Sequence, residues 1–548
     1  MNRLGCRFEL VWMLAAGAAV AACGSETPGG GDDLVVTLTD GKVQGDLAGG
    51  ARVFLKIPFA RPPVGDLRWK APVKNDPWAG IRHETAFAEA CPQDASLQSA
   101  RSRNEDCLYL NVWSPEPAPT NAPVMVWFHG GGNITGSAGD DVPLVSPTTK
   151  FYNGQFFAAQ HGVVVVTTNY RLGVLGFFAH PALATENMPV GNQGLLDQHR
   201  VLEWVRDNIA SFGGNPSNVT IFGESAGATD VCYHVASPLD RGLFHRAISE
   251  SGGCTIAVGG RDPTPGEPAL QAGMQAFASS KLGCGDSADA GQLACLRAKT
   301  VDQLLIAAPQ PDLTSGTGLT GWVFIPVVDG TFLPASARSR YDAQDIARVP
   351  YLLGTNSDEG TLFLLTATVD SYPMSLQAMF GAACAPKIAT CYPQGPSDTA
   401  KAALARVIGD ARLICPTRDT AVRADQGTVY LYNFNVVPAV LNGLGLGASH
   451  GSEIPFVFHD DVMASPAEQS VADAMNAYWA QFAKTGDPNF AGAPAVWPLA
   501  FGSQTESRLQ FDSKWQVLTG FHSKQCAFWE TVYAHPDCGA AVDPSVCN

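Results

Sequence analysis

Apolar positions along the chain fall into two patterns. The runs "APVMVWF" at 122–128 and "GVVVVTT" at 162–168 are almost continuously apolar and are bounded by turn-forming residues. Strands buried on both faces read this way, because neither face has to meet water. The stretch "GNQGLLDQHRVLEWVRDNIASFGG" follows, with Leu195, Leu196, His199, Leu202, Val205 and Ile209 at helical spacing. It predicts a helix that stops at Gly213. "NVTIF" at 218–222 is a third buried strand, and it runs directly into "GESAGATDVCYHVAS", whose alanine-rich continuation reads as a helix. Strand, helix and strand in succession require crossover connections, so the fold class is α/β with a mostly parallel central sheet and helices on both faces.

From Leu34 to Asn548 there is no long linker, repeat or low-complexity block, which predicts one large domain with insertions over 34–548. Ahead of it, Arg3 and Arg7 precede an apolar run from Leu10 to Ala22 that is short for a membrane span and has the form of a signal peptide over residues 1–22. Its end, "VAAC", resembles the bacterial lipoprotein cleavage site, with lipidation at Cys23; secretion without a lipid is the alternative. Residues 23–33 are polar and glycine-rich and read as a flexible tether. The predicted location is the bacterial cell envelope or the exterior, with membrane contact only through the anchor at Cys23.

Composition narrows the function classes. Of 548 residues 46% are hydrophobic and 16% charged, enough apolar material for a large core. A net charge of -16 without any basic run excludes a nucleic-acid footprint. The chain holds neither C-x-x-C nor H-E-x-x-H, so the cysteine and histidine spacings point to no metal, and no organic cofactor is expected.

The chemistry centres on Ser225. G-x-S-x-G occurs twice, at Gly223–Gly227 and in "GASHG" at Gly447–Gly451. Only the first lies between a strand and a helix. A nucleophile elbow turns so sharply there that side chains beside the serine would strike neighbouring backbone, hence the flanking glycines. "HGGG" at His129–Gly132 closes the preceding strand and lets backbone N–H groups approach a developing oxyanion.

Several ordered motifs, "RVFLKIPFARPPVGDLRW", "EDCLYLNVW", "VWFHGGG", "TTNYRLGVLGF", "GNQGLLDQHRVLEWVRDNIASFGGNPSNVTIFGESAG" and "GTNSDEG", resemble the type-B carboxylesterase family, which includes cholinesterases, bile-salt lipases and bacterial para-nitrobenzyl esterases. The resemblance implies an α/β-hydrolase fold and a Ser-His-Glu triad of Ser225, His450 and Glu359. It also implies oxyanion donors at Gly131, Gly132 and Ala226. Taken without it, His450 is one of eleven histidines and Glu359 one acid in a turn-rich stretch. The implied substrate is a small-molecule ester, cleaved through an acyl-enzyme.

Fourteen cysteines, less Cys6 in the leader and Cys23, leave twelve for disulfides in an oxidising compartment. Family position implies Cys91 with Cys107, Cys284 with Cys295 and Cys415 with Cys526. Proximity alone suggests Cys384 with Cys391 and Cys538 with Cys547, leaving Cys232 as a small buried hydrophobe and Cys254 unassigned. The Cys91–Cys107 loop has no aromatic residue, whereas cholinesterases carry there a tryptophan that stacks on choline; small or medium neutral esters are therefore favoured over choline esters. Sequons at Asn133 and Asn218 read as chance. Two other readings stay open: an interfacial lipase or polymer esterase, with pocket walls or a lid in 254–333 and 362–403, and a non-catalytic binding member of the same fold.

Overall fold

The structure, a computed structural model, describes residues 34–547 apart from 97–98, 140, 143–145, 187, 257–267, 310–323, 461–462, 464 and 503–504. The expected signal peptide, tether and lipidated Cys23 lie outside the described residues, as does part of the 254–333 segment.

The apolar runs form strands of one 11-stranded sheet. In chain order these are β1 (Asp46–Ala48), β2 (Ala51–Pro58), β3 (Tyr109–Pro115), β4 (Ala122–Phe128), β5 (Val164–Thr168) and β6 (Gly214–Glu224). They continue as β7 (Arg246–Glu250), β8 (Tyr351–Asn356), β9 (Val429–Phe434), β10 (Ser507–Phe511) and β11 (Val517–Thr519). Their spatial order is β11-β10-β9-β8-β7-β6-β4-β5-β3-β2-β1. From β5 through β10 every neighbour pair is parallel, with Val126 of β4 opposite both Val166 of β5 and Ile221 of β6; the strands outside that run pair antiparallel.

Successive side chains of a strand face opposite ways, and β4 shows why it needs no polar positions. Val124, Val126 and Phe128 enter one core layer with Leu195, Leu202 and Val205 of helix α1 (Gln193–Asn208). Met125 and Trp127 enter the other with Met475, Trp479 and Phe482 of a later helix, Pro466–Thr485. The elbow helix α2 (Ala226–Ala236) packs beside α1. As predicted, α1 stops before Gly213, which has φ 85°, although its last turn tightens into a 3₁₀ segment, Ile209–Phe212. More of α1 is buried than its apolar stripe indicates. Asp197 is enclosed because Arg171 grips both its carboxylate oxygens at 2.7 Å.

Six disulfides are present among the described residues, including Cys91–Cys107, Cys284–Cys295 and Cys415–Cys526. The proximity pairings are corrected: Cys384 joins Cys538 and Cys391 joins Cys547. Cys384 and Cys391 lie on one helix, Tyr372–Cys391, two turns apart. Seven residues of helix separate them by roughly 10 Å, too far to bridge, but leave both on the same face toward the C-terminal segment. Cys232 is also corrected. It is fully buried, yet it is bonded to Cys254, which the loop after β7 brings against α2.

Candidate active site

Ser225 occupies the single residue between β6 and α2, with φ 59° and ψ -120°. An L-residue held there is strained by about 1–3 kcal/mol and persists only where its surroundings over-determine it. Those surroundings are visible. The Ser225 N–H donates to Glu250 O of β7 at 2.8 Å. A Cβ on Gly227 would lie 2.0 Å from Phe128 O, and one on Gly223 2.6 Å from the same atom. Both motif glycines are thus forced by the backbone of β4, the close approach inferred from the sequence.

The HGGG turn leaves β4 and passes over the elbow. A Cβ on Gly130 would come within 3.1 Å of Ser225 Cβ. Gly131 and Gly132 have φ 100° and 65°, and Gly131 O accepts from the N–H groups of Ile134 and Thr135, both at 3.1 Å. Ala226 is the first residue of α2, so its N–H has no acceptor within the helix.

Glu359 opens a short 3₁₀ turn after β8, and His450 sits in the loop before a short helix, Ile454–Phe458. The two loops are stitched together by Asp358: its N–H donates to Ala448 O and its Oδ2 accepts from Ala448 N–H, both at 2.9 Å. A side chain on Gly447 would strike that carboxylate, 2.2 Å away, so the glycines of "GASHG" allow the stitch. In "SDEG", then, Asp358 holds the loops while Glu359 meets the histidine. Glu359 Oε2 is 2.7 Å from His450 Nδ1, and Oε1 accepts from Asn356 N–H at 2.7 Å and Ser251 Oγ at 2.6 Å. His450 Nε2 faces Glu224 Oε1 at 3.2 Å, an ion-pair contact out of hydrogen-bond alignment, and neither atom makes a hydrogen bond among the described residues. Nδ1 is therefore held by Glu359, and Nε2 makes no hydrogen bond but faces the Glu224 carboxylate.

Sequence reasoning missed the acids around this histidine. Glu224 precedes Ser225 in its motif, Glu250 ends β7, and Glu453 follows three residues after His450; all are buried. Ser251 Oγ donates to Glu359 at 2.6 Å, Asn356 Nδ2 donates to Glu453 Oε2, and Trp479 Nε1 donates to Glu250 Oε1 at 2.7 Å. Burial pushes the Glu224 carboxyl up to about 7 against the attraction of His450, and burial with the charges of Glu224 and Glu359 pushes Glu453 up to about 8. Burial lowers the His450 pKa, but the negative charges of Glu224 and Glu359 outweigh it and raise the group above its ordinary value. The place of Glu224 inside the G-x-S-x-G motif was the only signal available in the sequence.

Comparison with known proteins places this arrangement in a family. Residues 32–529 match the Carboxylesterase family. The chain is 34% identical to Carboxylesterase 1D of Rattus norvegicus over 98% of both chains. It is 33% identical to the acetylcholinesterase of Bungarus fasciatus over 94% of this chain and 89% of that one. Among solved structures, a PNB esterase superposes with a TM-score of 0.75 at 32% identity, covering 90% of this chain and 99% of the other. With an α/β-hydrolase sheet, a serine at its elbow and likeness along nearly its whole length, the chain belongs to the carboxylesterase family and is a carboxylic ester hydrolase.

Proposed function

We propose that the protein hydrolyses small to medium, neutral carboxylic esters by acyl transfer, with Ser225 as nucleophile, His450 as base and Glu359 as the acid that orients it. Ser225 Oγ attacks the ester carbonyl while His450 Nε2 takes its proton; the same nitrogen then protonates the departing alkoxide. Water attacks the acyl-enzyme with His450 again as base. Glu359 holds the imidazole tautomer through Nδ1 and stabilises the imidazolium. The N–H groups of Gly131, Gly132 and Ala226 receive the charge that develops on the carbonyl oxygen. The observation that carries this reading is the 2.7 Å Glu359–His450 contact, with Nε2 free of hydrogen bonds and facing Glu224, the residue before a serine held at φ 59°. The Cys91–Cys107 loop offers no aromatic face for a quaternary ammonium, which supports neutral esters over choline esters.

The test is hydrolysis of para-nitrophenyl esters from acetate to palmitate by the wild type and Ser225→Ala. A serine-dependent rate highest on short acyl chains is expected; full activity in the variant would overturn the assignment. One observation favours an interfacial lipase as the second reading: Val437, Val440 and Leu444, on the segment leading to His450, are exposed. Rates that rise with chain length above the solubility limit would select it. The domain is read as spanning 34–548, tethered to the envelope membrane through lipidated Cys23. Cys23→Ser should then move the protein from the membrane to the soluble fraction, and unchanged partitioning would refute the anchor.

A further inference from the structure

The oxyanion donors assigned above belong to two different elements, the loop after β4 and the first turn of α2. Gly131 and Gly132 both adopt positive φ, and the loop's internal bonds, from Ile134 and Thr135 N–H to Gly131 O, fix its turn but not its position against α2. Something outside it must set its distance from α2.

Asn133, the next residue, is 4% exposed and itself left-handed at φ 59°. Its carbonyl accepts from Gly173 N–H at 2.7 Å, and the Tyr170 hydroxyl lies 2.7 Å from His129 O and 3.2 Å from Asn133 Oδ1. Its Nδ2 donates across to Asp230 Oδ1 at 3.0 Å. Asp230 is fully buried one turn after Ala226 on α2, and its other oxygen accepts from Gln198 Nε2 of α1 at 2.7 Å. The network continues along α1 and α2: Gln198 Oε1 is 2.8 Å from His234 Nε2, His234 Nδ1 is 2.7 Å from Asp240 Oδ2, and Asp240 Oδ1 is 2.6 Å from His199 Nδ1. A buried carboxylate at position 230 is costly, and apolar packing of that volume would serve stability as well or better. What it supplies is a directional bond between the two donor-bearing elements. Through Gln198 it is also braced against α1.

We infer that Asn133 and Asp230 are positioning residues for ester hydrolysis, locking the Gly131–Gly132 loop to α2 so that donors from both elements converge on one oxygen. The inference rests on the hydrolytic reading of Ser225. Oxyanion donors act only within a few tenths of an ångström of their working position, and strain on the clamp is felt mainly in the transition state.

The test compares wild type, Asn133→Asp, Asp230→Asn and the double exchange, with para-nitrophenyl butyrate as substrate and a trifluoromethyl ketone as transition-state probe. Asn133→Asp sets two carboxylates face to face. Asp230→Asn sets an amide donor against either Asn133 or Gln198. The exchange restores one donor and one acceptor with the direction reversed, and still leaves an acceptor for Gln198. Each single variant should lose about tenfold in kcat with KM within about twofold, should bind the ketone proportionally more weakly, and should be rescued in kcat by the exchange. Singles whose kcat stays within about twofold of wild type, or whose loss lies in KM, overturn the clamp. So does a folded double variant, judged by near-ultraviolet circular dichroism, that is no more active than the worse single; if a single folds poorly, this arm decides. Activity retained by Ser225→Ala would instead count against the hydrolytic reading itself, whereas a serine-dependent wild type beside unaffected singles removes the clamp alone.

Discussion

At the residue scale, His450 is governed by acids from three different segments. The charges of Glu224 and Glu359 hold its pKa up to about 9 against burial. The base role proposed for it requires the neutral imidazole, so kcat/KM should rise with pH through a midpoint above the ordinary histidine value of 6.5. Glu224→Gln removes one of those charges and should move the midpoint down. A pH profile of kcat/KM checks this, and an unmoved midpoint would show that His450 does not feel Glu224. Glu453 has a consequence for stability. Its folded pKa is about 8 against an ordinary 4.5, so between those values the folded protein holds a proton that the unfolded chain has released. Stability therefore falls as pH rises through that window, and Glu453→Gln should flatten the fall; thermal melts at pH 5 and 8 measure it. Glu224 and Glu250, also raised by burial, contribute in the same direction, so some slope remains. The strained turn at Ser225 was legible in its motif, and family resemblance pointed to His450 and Glu359, which lie 2.7 Å apart. Glu453 and Ser251 were not, because they meet Glu359 only after β7, β8 and the histidine loop converge.

At the scale of elements, the turn from β6 to α2 is the most tightly determined part of the chain. Phe128 O sits where side chains on Gly223 or Gly227 would go. Gly227→Ala should cost about 3 kcal/mol, at the upper end of the range for overpacking a closed site, because the obstructing atom is backbone in the middle of the sheet. Chemical denaturation reports the loss, and a cost below about 1 kcal/mol would mean that the elbow yields more readily than its contacts indicate. The helical and strand segments themselves were legible, since two-sided burial of β4, β5 and β6 leaves continuous apolar runs and α1 carries a helical stripe. The stripe underestimated the buried surface of α1, because Asp197 and Gln198 are enclosed by polar partners that the pattern cannot reveal. His199, placed on the apolar face by spacing, is half-buried and bound to Asp240 at 2.6 Å.

For the whole molecule, Cys384–Cys538, Cys391–Cys547 and Cys415–Cys526 all tie the segment 384–415 to the C-terminal region. A single crosslink closing a loop of 154 residues would restrict the unfolded chain by about 5 kcal/mol in the chain-entropy picture. Cys415–Cys526 lies inside the other two and those two interleave, so each closes only a short additional loop once the others exist. Replacing Cys384 and Cys538 together by Ser should thus cost well under that figure, while removing all three pairs should cost far more than three times the single loss. Denaturation of the single-pair and triple-pair variants measures the non-additivity, and additive losses would refute the redundancy. By itself the sequence determined the α/β class, the strands flanking the elbow, the glycines at the elbow and the family, because periodicity, turn chemistry and ordered motifs are local properties of the chain. Only the tertiary structure decided which cysteines pair along the 372–391 helix, which carboxylates surround His450, and that Asn133 meets Asp230, because those distances are set by packing between segments that the chain itself holds far apart.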